Sequence, residues 1–102
     1  MKSLFWLSYD RDQRQAGVLI IEARELLEAR MLAAVAGLDK GAEFSEGYAL
    51  SEACAEMISA RSVARMLPPD EADRLITWIE SEAARKGIPP RQFACSGSGR
   101  GQ

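Results

Sequence analysis

Two short apolar runs near the start of the chain constrain its fold more than any other feature. Leu4–Tyr9 is rich in aromatic and aliphatic side chains, and Gly17–Ile21 reads Gly-Val-Leu-Ile-Ile. Both are too short for helices, and β-branched and aromatic residues favour the pleated sheet, so both are predicted to be strands. The polar stretch Asp10–Ala16 between them makes an antiparallel hairpin the simplest assembly. Neither run alternates apolar with polar residues, so both faces of the hairpin have to be kept from water. One face is expected to pack on a helix, and the other requires a second cover.

The next segment, 23–36, is made of alanine, leucine, glutamate and arginine, all good helix formers, and Gly37 fits a C-terminal stop. Ala23, Leu27, Ala34 and Leu38 fall on one stripe, flanked by Leu26 and Met31, and this stripe is predicted to face the core. The first half of this helix carries Arg24, Glu25 and Glu28 on the opposite side. The second half, Met31–Ala36, has no charge on any side, which suggests either a central helix or a partner surface. Arg30 projects near the middle of the predicted stripe. A buried guanidinium requires a carboxylate, which Glu43 or Glu46 could supply, unless the side chain snorkels or serves as a recognition arginine.

Beyond residue 38, Phe44 and Tyr48 anchor either a short third strand or an ordered loop. Ser51 is a plausible N-cap for a helix reaching about Ile58, and Ser59 for a second short helix holding Val63, Met66 and Leu67. The strongest local signals lie over 69–86. Pro68-Pro69 opens the helix, and Asp70 and Glu71 occupy its first turn. Ala72, Leu75, Ile76, Ile79 and Ala83 form the apolar stripe, with Trp78 at its edge. Arg85 and Lys86 close the last turn before Gly87 and Pro89. The acidic cluster Asp70, Glu71 and Asp73 reads as compensation of the helix dipole rather than as a cation site, since no calcium-loop spacing surrounds it. The expected fold class is α+β: an N-terminal antiparallel hairpin of two, or with Phe44 and Tyr48 three, strands, packed against three to four helices. Residues 1–88 form one domain, and 89–102, which end in Ser96-Gly97-Ser98-Gly99-Arg100-Gly101-Gln102, read as a flexible tail.

The chain contains no histidine. That removes serine–histidine and cysteine–histidine nucleophile pairs and the histidine-containing zinc motifs. No phosphate-binding glycine motif occurs, and the glycines at 97–101 follow no predicted strand. Cys54 and Cys95 form no CxxC pair and are expected to be free thiols, with Cys54 a small core residue. No enzyme activity, cofactor or metal is expected.

The net charge is −2, whereas a phosphate-binding domain is normally basic, so nucleic acid is a disfavoured partner. Apolar runs fall short of the length that crosses a bilayer, and no cleavable leader is evident at the N-terminus, so no membrane association and a cytoplasmic location are expected. The arginine- and alanine-rich usage is of a bacterial type.

These observations lead to a small non-enzymatic protein-binding or accessory module, acting as a homodimer or on a larger protein partner. The hairpin and the uncharged half of the 23–36 helix hold more apolar surface than a lone domain of this size is expected to cover. Trp6, Arg30, Leu32, Val35 and Trp78 are the residues expected to contact the partner. The alternative is a small DNA-associated regulator. Residues 51–67 faintly resemble a degenerate helix-turn-helix, with Arg61 and Arg65 on one face of its second helix, although neither alignment of Ala53 or Ala55 puts a suitable residue at every core position.

Overall fold

The chain adopts an antiparallel sheet held between helices on both faces, in a computed structural model that describes residues 2–87. The first apolar run becomes β1 (Ser3–Arg11) and the second β2 (Arg14–Ala23), in register with Leu7 opposite Leu19 and Phe5 opposite Ile21. Both strands run into the polar stretch between them, so the connection shrinks to Asp12-Gln13. Both turn residues have positive φ, 53° and 64°. This left-handed pair matches the right-handed twist of the flanking strands, which is why two-residue hairpins favour it. A third strand, β3 (Glu43–Ala49), pairs antiparallel with the other side of β1, giving the order β2-β1-β3. Phe44 and Tyr48 thus belong to a strand and not to a loop.

Strand alternation sorts the apolar residues into two layers. Phe5, Leu7, Tyr9, Leu19 and Ile21 point to one face and Trp6, Val18 and Ile20 to the other, all buried. The first face is covered by α1 (Leu26–Val35). The second is covered by α2 (Glu52–Glu56), the segment after it and α3 (Pro69–Lys86), through Leu50, Cys54, Leu67, Ala72 and Ile79. The doubly apolar hairpin therefore finds both of its covers within the chain.

The helix expected over 23–36 is shorter and turned differently. Ala23 ends β2, paired with Ser3, and the helix begins at Leu26. Glu28 reaches back to accept from the backbone N–H of Arg24 at 2.6 Å. The buried positions of α1 are Ala29 and Ala33, while Leu27, Met31 and Ala34, expected inside, are exposed. The uncharged second half of the helix has no periodicity to select its inner face. Here the sheet supplies the bulk of the layer, and the helix comes down on its small side chains. Gly47 of β3 contributes to the fit. A Cβ there would lie 2.8 Å from Leu7 Cδ2 and 3.0 Å from Leu26 Cδ1, so the missing side chain leaves room for Leu26.

The outer edge of β2 is covered by residues 64–67. Val18 and Leu67 exchange backbone hydrogen bonds of 3.0 and 2.7 Å, and Ala64 N–H donates to the Ile20 carbonyl at 2.8 Å. Ser51 caps α2 by accepting from Cys54 N–H, and Ser59 accepts from Arg61 N–H. After Ser59 the chain makes a single 3₁₀ turn, Ala60–Ser62, in place of the expected second helix. Val63, Met66 and Leu67 instead lie on the extended path that closes the edge. α3 matches its sequence signals, from Pro69 to a left-handed Gly87 at φ 76°. The expected tail at 89–102 lies outside the described residues.

Candidate functional site

Two neighbouring features on the α1 side of the sheet carry the functional interest. Because α1 docks through Ala29 and Ala33, with Leu26 half-buried beside them, its other large apolar side chains are left outside. Val35 is 85% exposed, Leu27 58%, Met31 57% and Leu32 47%. Leu27, Met31 and Val35 succeed one another at four-residue spacing, so they line up along one face. With Leu32 they border a shallow apolar depression of about 410 Å³, flanked by Glu25 and Glu28. Together they leave on the order of a few hundred Å² of contiguous apolar surface in water, the extent at which such a patch marks an interaction surface.

The second feature is a groove of about 340 Å³ on the adjoining flank of α1, sharing Leu27 and Met31 with the first. It is lined as well by Arg30 of α1, by Tyr9 and Phe44 of the sheet and by Asp39 of the turn between α1 and β3. Tyr9 is directly opposite Phe44 in the sheet, and the rings meet edge to face with centroids 5.8 Å apart. The Arg30 guanidinium sits over the Phe44 ring, 4.1 Å from its centre, a cation–π contact. Burial pushes the Tyr9 hydroxyl above its usual pKa, Asp39 pushes it further, and Arg30 opposes them. The Asp39 carboxylate accepts from Gly41 N–H at 3.2 Å and so shapes the turn leading into β3.

The five residues expected to contact a partner do not come together. Arg30, Leu32 and Val35 are exposed on α1, and Arg30 stacks on the Phe44 ring instead of being buried in the helix stripe. Trp6, expected at a partner surface, is buried in the layer beneath α2 and α3, since its position in β1 turns it to the inner side of that face. Trp78 is 48% exposed on α3, across the sheet from α1, and stands apart from the patch. Leu27 and Met31 belong to the exposed face although the apolar stripe predicts them inside. Their four-residue spacing with Val35 is visible in the sequence, but identifying the outer face also requires knowing that the helix docks through Ala29 and Ala33.

Residues 51–67 do not form two helices, so Arg61 and Arg65 do not share a helical face. Arg65 donates from Nε to the Arg61 carbonyl at 2.9 Å and pairs with Glu71, whose carboxyl it holds below the usual carboxylate range. Glu71 thus belongs to an ion pair at the start of α3, and among the described residues no cluster of three or more potential metal ligands occurs. Cys54 is fully buried, and burial pushes its thiol up to about 11, far from the range of a reactive thiolate. Cys95 lies outside the described residues. No helix among the described residues is long and apolar enough to cross a membrane. Comparisons with protein-family models, curated proteins and solved structures each returned no match to this chain.

Proposed function

We propose that the protein is a small non-enzymatic protein-binding module, acting as a homodimer or on a larger protein partner through the outer face of α1. One observation carries the reading: Leu27, Met31, Leu32 and Val35 stand in water on a helix whose buried side consists of two alanines. Exposing the large residues and burying the small ones is the reverse of what a solvent-facing helix does. The arrangement becomes favourable once a second surface covers the outer side and removes those side chains from water. The absence of histidine and the sealed Cys54 thiol support a binding role over a chemical one.

Site-specific photo-crosslinking in cells producing the protein tests this. A crosslinker placed at Val35 is expected to give a defined adduct, of twice the chain mass for a homodimer or heavier for another partner. The same group at Glu80, exposed on α3, is the control. Adducts at Val35 no stronger than those at Glu80 would remove the proposal.

A further inference from the structure

We propose that the groove between α1 and the strand pair β1–β3 binds a small zwitterion with an apolar body, of which a free apolar amino acid is the simplest form. Tyr9 is the first reason. It is only 2% exposed and lines the groove, yet its hydroxyl has no hydrogen-bond partner among the described residues. No side-chain oxygen or nitrogen among those residues is completely enclosed without a partner, so the phenol oxygen keeps its access through the groove. The ring is packed away while the hydroxyl stays open to a polar group entering the groove.

The charges beside it are the second reason. Arg30 and Asp39 both act on the Tyr9 hydroxyl, with opposite sign, yet they form no ion pair with each other. Arg30 offers one guanidinium face to Phe44, which leaves its N–H edges free for a carboxylate. Asp39 commits an oxygen to Gly41 N–H and retains its negative charge. A simple anion would meet Asp39, and a simple cation would meet Arg30. A molecule bearing both a carboxylate and an ammonium group satisfies both, with the Tyr9 hydroxyl donating to the carboxylate. The rest of the wall is apolar, with Leu27, Met31 and Ala34 along α1 and Ala42 at the turn. At about 340 Å³ the groove is at the small end of ligand sites, which suits a molecule of amino-acid size.

The site adjoins the proposed docking face and shares Leu27 and Met31 with it, while Tyr9, Arg30 and Asp39 lie outside that face. The test is a titration of the isotope-labelled full chain, followed by backbone amide shifts, with L-phenylalanine, N-acetyl-L-phenylalanine and phenethylamine. L-phenylalanine is expected to shift the amides around Tyr9, Arg30, Asp39 and Phe44. The analogues lacking the ammonium or the carboxylate should each bind about tenfold more weakly or worse. Tyr9→Phe should weaken binding roughly five- to tenfold with the amide spectrum otherwise retained. Arg30→Gln, at an exposed position, serves the same purpose should Tyr9→Phe disturb the fold, and it should erase the preference over phenethylamine. Val35→Asp, outside the groove, should leave these titrations unchanged while weakening the adduct formed by a crosslinker at Leu32, which separates this site from the docking face. Equal shifts with all three probes, no localised shifts into the millimolar range, or full affinity in Arg30→Gln would each overturn the proposal.

Discussion

Gly17 shows how one residue can hold two elements together. It sits in β2 at φ 156°, next to the irregularity where Tyr9 pairs with Gly17 but Asp10 with Gln15. A Cβ there would lie 2.5 Å from the Leu67 carbonyl oxygen and 2.7 Å from Met66 Sδ. The segment that seals the β2 edge can approach only because that atom is missing. Gly17→Ala is expected to destabilise the fold by about 1–3 kcal/mol, the usual range for forced overpacking. Denaturant unfolding would read this as a lower midpoint at unchanged slope. A wild-type midpoint would mean that residues 64–67 are not held against the sheet. Gly47 acts similarly on the other side, where its missing side chain admits Leu26. The sequence marks both positions only as glycines within strands, a sign of close backbone or side-chain approach that does not name the neighbour.

At the scale of elements, α1 and α3 contrast in how much local sequence decides. In α3 the proline start, acidic first turn, apolar stripe, basic last turn and glycine stop agree, and the helix runs over Pro69–Lys86 with Ala72, Ile79 and Ala83 buried. In α1 the local signal misleads: the larger stripe, which periodicity favours as the inner face, points outward. The two faces can be told apart by mutation. Ala33→Leu should cost about 1–3 kcal/mol by wedging the helix off the sheet. Leu27→Ser should change the stability of the monomer by no more than about 0.5 kcal/mol, as at other surface positions. Thermal unfolding of the two variants side by side checks the assignment, and the opposite ranking would mean that the helix is docked by its large residues. The second short helix expected after Ser59 fails for a different reason. Ser59 does cap a turn, but the backbone of residues 64–67 is recruited as partner for β2, and sheet pairing replaces helical hydrogen bonding.

Among the described residues, helices cover both faces of the sheet and residues 64–67 cover its β2 edge. β1 is its centre, paired on both sides and buried on both faces. α1 is attached by two alanines, Ala29 and Ala33, with Leu26 half-buried beside them, and it lies at the outside of the molecule. Amide hydrogen exchange should therefore be slowest in β1. α1 should open at lower free energy at low protein concentration and gain protection as concentration rises if its outer face pairs with a second copy. Exchange in α1 as slow as in β1 at every concentration would show that the monomer clamps this helix more firmly than its buried side chains suggest.

Local chemistry alone determined the class of fold: the two apolar strands, the hairpin, the serine caps and the complete α3 are readable from residue types and spacing. Those features depend on interactions within a few residues, where propensity, capping and alternation act. Only the tertiary structure decided which face of α1 is inside, that Trp6 is core, that Arg30 rests on Phe44, and that residues 64–67 run as a sheet edge. Each of these depends on groups distant in the chain competing for one buried surface. The candidate site lies on that second side of the division. The ring of Tyr9, the guanidinium of Arg30 and the carboxylate of Asp39 belong to three separate segments, and only the packing of α1 against the sheet brings them to one groove.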